Sequence, residues 1–125
     1  ARHQLDLAVA TNNLGRTLNL LGQDDAAEAA LDKACGILQR LVEASPGDVN
    51  YRSTLGGALN NLGLAHERAG RLDDALSAYR SAVEHQQAAR EAAPDGEQIG
   101  EFLAKSQDNL RRVQALMAQN TGVLR

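Results

Sequence analysis

Three histidines, one cysteine and two pairs of aspartates are the residues whose types could support acid–base, nucleophilic or metal chemistry. Their spacing favours none of it. His3, His66 and His85 lie far apart, and the last two fall at positions expected to face inward, where a hydrogen-bonded, partly buried imidazole is the ordinary outcome. Cys35 is the only cysteine, so there is neither an internal disulfide framework nor a cysteine-rich metal site. No histidine stands at ligand or triad spacing from it, and it reads as a small buried apolar group. Asp24-Asp25 and Asp73-Asp74 are paired carboxylates, but each pair opens a helix, where the positive end of the dipole already accounts for it. The expectation is a chain with no catalytic residue, no metal ligand and no cofactor.

Asparagine is the polar residue that stands out. Asn12-Asn13-Leu14-Gly15 returns as Asn60-Asn61-Leu62-Gly63, an offset of 48, and a further step lands on Asn109-Leu110 with Arg111 in place of the glycine. Asparagine is a mediocre helix former, yet these sit where helical spacing runs through. A side-chain amide offers a donor and an acceptor together, matching one peptide unit, so it can read a ligand's backbone or bond a neighbouring helix. Both readings stay open at Asn13, Asn61 and Asn109.

The same offset joins Leu7 to Leu55, Gly22 to Gly70, Asp25 to Asp73, Ala27 to Ala75, Ala34 to Ala82 and Pro46 to Pro94. Each unit therefore reads as two helices. Leu7, Ala10, Leu14, Leu18 and Leu21 recur at helical spacing, as do Ala27, Leu31, Ala34, Leu38 and Leu41. Gly22-Gln23-Asp24-Asp25 supplies the turn between them, and Pro46 and Pro94 end the second helix of each unit. Five helices are expected, at 3–21, 24–44, 49–69, 72–92 and 97–120. Residues 123–125 are expected to be frayed or the stump of a sixth. Leu103, Leu110 and Leu116 are the expected inward stripe of the last helix, which would cap the second repeat. Alanine occurs 22 times and leucine 19 times, whereas Val, Ile and Thr total 12 and the aromatics are only Tyr51, Tyr79 and Phe102. Strand formers are too scarce for a sheet class, and the fold is expected to be all-α.

A formal charge of −3 argues against a nucleic-acid or membrane-surface binder. No run is apolar enough for a membrane span. The chain begins without methionine and reads as a piece of a longer protein, for which a cytoplasmic setting is expected. One domain over 1–125 is expected, with repeats at about 1–48 and 49–96 and a half repeat or capping helix at about 97–120.

Leu14-Gly15 with Leu18, Gly22, Ala27, Leu31 and Ala34, and then Leu62-Gly63, Gly70, Ala75, Tyr79 and Ala82, resemble the tetratricopeptide repeat in spacing. Thr11 and Leu59 stand where that family has Trp, and His66 replaces an aromatic. The period of 48 exceeds the usual one of about 34. The excess divides into two additions of about two helical turns, one per helix, which leave inward faces inward. Long repeats carrying Asn-Asn-Leu-Gly are similar to those of kinesin light chain. With Pro46 and Tyr51-Arg52 they are still more similar to arrays attached to bacterial serine/threonine kinases.

The resemblance implies a right-handed α-solenoid of antiparallel helix pairs whose first helices line a concave groove. It also implies that groove asparagines bond the backbone of a bound peptide. Site residues on that face are then Asn13, Arg16, Asn61, Leu64, Arg68, Lys105, Asn109 and Arg112, which lean positive against Glu67 and Asp108. Of the carboxylate clamp in co-chaperone domains only Asn61 and Lys105 match, and chaperone-tail binding is not expected. The function implied is non-catalytic binding of an extended protein segment, acidic ones included, with no nucleic acid and no membrane insertion. The alternatives are a scaffold or self-association segment joined through exposed repeat ends, or a regulatory arm of a kinase-containing protein.

Overall fold

A computed structural model describes residues 2–122, and over them the chain forms five helices: α1 (Arg2–Leu20), α2 (Asp24–Ala44), α3 (Val49–Arg68), α4 (Leu72–Ala92) and α5 (Glu97–Gly122). Among the described residues there is no strand, and no helix is long and apolar enough to cross a membrane. The boundaries fall within two residues of those expected from spacing, which is the scatter of any helix end. The last helix continues through Asn120 to Gly122, so the expected stop at 120 comes two residues early. Residues 123–125 lie outside the described residues.

The turns follow from local chemistry. Gly22 and Gly70 have φ of 75° and 81°, a left-handed conformation that only glycine adopts without strain. With each in place, the next amide folds back five residues, Gln23 N to Leu18 O at 2.9 Å and Arg71 N to His66 O at 2.9 Å. This closes α1 and α3 in the same way and starts the following helix at once. Asp24, Asp25, Asp73 and Asp74 occupy the first turns of α2 and α4, as expected. Asp48 caps α3 by accepting from Tyr51 N at 3.0 Å.

Short connections force neighbouring helices to run antiparallel, and the packing is a two-layer stack. α1 pairs with α2 and α3 with α4, while α2 packs on α3 and α4 on α5. The first helices α1, α3 and α5 thereby touch in sequence along one layer, with α2 and α4 behind them. Within each pair a glycine sets the distance. A Cβ on Gly15 would lie 2.4 Å from Leu31 Cγ, and one on Gly63 would lie 2.5 Å from Tyr79 Cε1. Leu31, Leu38, Leu41, Leu55, Leu59 and Leu62 form the main core between α2 and α3. Ala75, Tyr79 and Val113, flanked by Leu72, Leu76 and Leu110, form a second core under α5.

One expectation is corrected. The stripe Leu7, Leu14 and Leu21 does not face inward; α1 buries Ala8, Gly15 and Asn19 instead, and Leu14 is 54 % exposed. The reason is positional. Leu55 and Leu62, one repeat later, are buried because α2 precedes α3 and covers them, and among the described residues nothing precedes α1. On α5 the buried apolar residues are Leu103 and Val113, with Leu110 and Leu116 half-buried, so Val113 belongs to the inward stripe.

Identical glycine-to-alanine changes should have opposite signs at two sites. Gly63→Ala should destabilise by about 1–3 kcal/mol, because the Tyr79 ring it meets is itself fully enclosed. Gly36→Ala, mid-helix with nothing within 4 Å of its Cβ, should stabilise by about 0.5–1 kcal/mol. Urea denaturation of both proteins checks this, and a Gly63→Ala protein as stable as the parent would disprove the close contact of α3 with α4.

Candidate functional site

The first-helix layer carries the asparagines, and they bond to one another. Asn61 Nδ2 donates to Asn12 Oδ1 at 2.9 Å, and Asn109 Nδ2 donates to Asn60 Oδ1 at 2.9 Å. The two bonds are the same interaction displaced by 48 residues, joining α1 to α3 and then α3 to α5. The buried Asn19 adds a third tie between helices, donating from Nδ2 to the Asn61 carbonyl at 3.1 Å. A primary amide has two N–H groups and two lone pairs, so each of these bonds leaves donor and acceptor capacity on the same side chain. The amides tie the first helices together and retain hydrogen-bonding capacity.

Around them lies a cavity of about 410 Å³. Val9, Asn13 and Arg16 of α1, Asn50, Thr54, Gly57 and Asn61 of α3, and Gln98, Phe102 and Lys105 of α5 all line it. No carboxylate does. A second hollow of about 500 Å³ continues along the layer between Arg16, Leu20, Asn61, Leu64, Lys105, Asp108 and Asn109. Six of the eight residues singled out from the sequence thus share this face: Asn13, Arg16, Asn61, Leu64, Lys105 and Asn109. Arg16 and Lys105 have no ion-pair partner among the described residues.

Arg68 and Arg112 line neither hollow. Arg68 Nε bonds Asp24 Oδ1 of α2 at 3.2 Å. Arg112 grips Glu67 with two bonds of 2.9 and 2.7 Å, and its Nη1 donates to Asn109 Oδ1 at 2.9 Å. Tyr79 reaches the same carboxylate from α4, its hydroxyl donating to Glu67 Oε1 at 2.9 Å. The bonds from Arg112 hold Glu67 below the ordinary carboxylate range against its partial burial, with Tyr79 assisting. Burial, and then the neighbouring carboxylate, push the Tyr79 phenol well above its usual value, so it stays a donor.

The sequence reading missed Asn50, Thr54, Gln98 and Phe102 on this face. The signal was present: 50, 54, 57 and 61 on α3 and 98, 102, 105 and 109 on α5 follow helical spacing one turn beyond the neighbours considered. Cys35, His85 and His66 are each buried or half-buried against neighbouring side chains. Burial pushes the Cys35 thiol up to about 12, so the nucleophilic thiolate is suppressed. Burial, reinforced by Arg52, holds His85 below its usual value, and its Nδ1 lies 3.3 Å from Arg52 Nη1. His66 Nδ1 faces Glu28 at 3.5 Å, and Glu28 is also paired with Arg71. Among the described residues no three His, Cys, Asp or Glu side chains are grouped as metal ligands.

Two family models, each described as a tetratricopeptide repeat, match residues 7–47 and 56–92, together more than half of the chain. No curated protein and no solved structure matches.

The Glu67 carboxylate generates a pH prediction. Because its pKa is lowered on folding, its contribution is present above the unfolded value, near 4.5, and is lost as pH falls through the lower folded value. The stability difference between the parent and Glu67→Gln should therefore be largest near neutrality and shrink steadily in acid below about pH 4.5. Denaturation midpoints at several pH values check it; a difference that is constant with pH would disprove the Arg112–Glu67 coupling.

Proposed function

The chain belongs to the tetratricopeptide-repeat family, whose repeats mediate protein–protein interaction, and we propose that it binds an extended acidic segment of a partner protein along the α1, α3 and α5 face. The observation that supports this is the composition of the 410 Å³ cavity: amides, hydroxyls and two cations without a carboxylate, in a chain whose net charge is −3. A ligand that is only negative would need the cations alone. The asparagines add groups that pair with peptide N–H and C=O, so charge steers the segment and amides fix its register. Because Asn12 and Asn60 already hold Asn61 and Asn109 in place, these side chains lose little further freedom on binding. The protein acts as a receptor surface and performs no reaction of its own.

A second reading rests on a different surface. Leu7, Leu14 and Leu21, along one stripe of α1 and the turn after it, are exposed, Leu14 at 54 %. Contiguous exposed leucines of this kind mark an association surface. Self-association through α1 is therefore proposed alongside the groove, and the two surfaces are separable by mutation.

Selection from a random library of displayed twelve-residue peptides tests the groove. Bound sequences should be enriched in Asp and Glu, and Arg16→Ala combined with Lys105→Ala should weaken a selected peptide at least tenfold with the melting temperature unchanged. Asn61→Ala should weaken it by about 1 kcal/mol or more per lost bond. Selected peptides indifferent to all three changes would end the groove reading. For α1, sedimentation equilibrium should show concentration-dependent association that Leu7→Gln with Leu14→Gln abolishes; a monomeric parent protein would remove this second reading.

A further inference from the structure

Two core exchanges in the second repeat and one in the third unit lie beside the groove. Gln86 of α4 stands where the first repeat has Leu38, and both are completely enclosed. Gly56 of α3 stands where the first repeat has the buried Ala8. That exchange makes the room, since a Cβ at Gly56 would fall 2.6 Å from Gln86 Nε2. Ser106 of α5 stands where α3 has the buried Ala58, and it is 1 % exposed.

These exchanges put polar atoms where apolar ones would pack. Gln86 Nε2 donates to the Ser53 carbonyl at 3.2 Å. That carbonyl can only accept, which fixes the orientation of the amide and leaves Gln86 Oε1 as the free end. Neither Gln86 Oε1 nor Ser106 Oγ has a hydrogen-bond partner among the described residues. A buried group left in this state costs about 1–3 kcal/mol. Both side chains line the 410 Å³ cavity, the same one that Arg16 and Lys105 border.

We propose that Gln86 and Ser106 form a subsite for a carboxamide, the side chain of an Asn or Gln in the bound segment. The inference rests on the groove reading and specifies the ligand within it. Gln86 Oε1 requires a donor, and the Ser106 hydroxyl can supply a proton as well as receive one. A primary amide carries N–H and C=O at one end of a side chain and can meet both from one direction. A trans peptide unit points them in opposite directions and cannot. A carboxylate has no proton for Oε1, so acidic residues are directed to Arg16 and Lys105 instead. An ammonium group would satisfy Oε1 but would enter a cavity holding two cations and no anion. The segment is thus read twice, by charge at Arg16 and Lys105 and by amide pairing at Gln86 and Ser106.

The same library selection, run with the parent and with a Gln86→Leu, Ser106→Ala double variant, tests this. The variant carries residues found at the matching positions of the other repeat, so it should melt no lower than the parent. Peptides selected by the parent should carry Asn or Gln at a fixed distance from the acidic residue. The variant should keep the acidic preference, lose the amide preference, and bind a selected peptide at least tenfold more weakly. Replacing that peptide's Asn or Gln by Ala should weaken binding to the parent and leave binding to the variant unchanged. Acidic enrichment without Asn or Gln, an equal preference for Ser or Thr, or an amide preference that survives in the variant would overturn the subsite while the groove reading stands. A lower melting temperature with unchanged peptide preference would assign the pair to packing and overturn it as well. Failure to select acidic peptides at all would overturn the groove reading and the subsite together.

Discussion

The contact between a glycine on each first helix and a large side chain on the second is the constraint from which the rest follows. Gly15 against Leu31 and Gly63 against Tyr79 leave no space for even one methyl group, so the two helices of a pair meet at a single register. That register turns the Ala27, Leu31, Ala34, Leu38 face of α2 inward and holds α1 and α3 side by side at matched heights. Matched heights are what allow Asn12 to meet Asn61, and Asn60 to meet Asn109, at 2.9 Å each. An interhelix amide bond of this kind tolerates displacements of a few tenths of an ångström and no more. The polar layer is therefore a readout of the apolar one.

At the third unit the constraint lapses. Arg111 occupies the glycine position and is exposed, so α5 has no second helix closely packed on that side among the described residues. Charge and hydrogen bonding take over there. Tyr79, Glu67, Arg112, Asn109 and Asn60 form one connected chain of bonds running from α4 through α3 to α5 and back to α3. In the first repeat the places of Tyr79 and Glu67 are held by Leu31 and Asn19, which pack and make a single interhelix bond. Among the described residues, α5 is thus joined by a polar fastening where the pairs α1–α2 and α3–α4 meet by steric fit. Arg112 is consumed in that fastening, which is why the groove's positive character comes from Arg16 and Lys105.

The sequence made the fold legible because repetition is a strong constraint: two copies of one pattern at a fixed offset specify which positions are equivalent, wherever those positions sit in space. Helix number, turn chemistry at Gly22 and Gly70, and the buried face of α2 follow from that alone. Burial on α1 did not, because equivalence of position is not equivalence of neighbours. Leu14 and Leu62 occupy the same place in the repeat, yet among the described residues only Leu62 has a helix in front of it. Ion pairing was illegible for a related reason. Arg68 and Arg112 share a helical face with the asparagines, but which carboxylate a flexible guanidinium reaches depends on distances between helices that spacing along one helix does not contain. The cavity residues Asn50, Thr54, Gln98 and Phe102 were legible in principle, since they extend the same helical rows by one turn.

The two roles considered for the asparagines are complementary in the folded chain. A side-chain amide that is free to rotate is a poor reader of a ligand, because ordering it on binding costs rotamer entropy. One that has spent a donor or an acceptor on the neighbouring helix is already oriented and retains further hydrogen-bonding capacity. The bond between repeats therefore orders the side chain without exhausting its hydrogen-bonding capacity. The same geometry accounts for a pair of asparagines in the second unit in place of one. Asn12 and Asn60 accept, Asn61 and Asn109 donate, and the second unit supplies both partners because it bonds the unit before it through Asn61 and the one after it through Asn60.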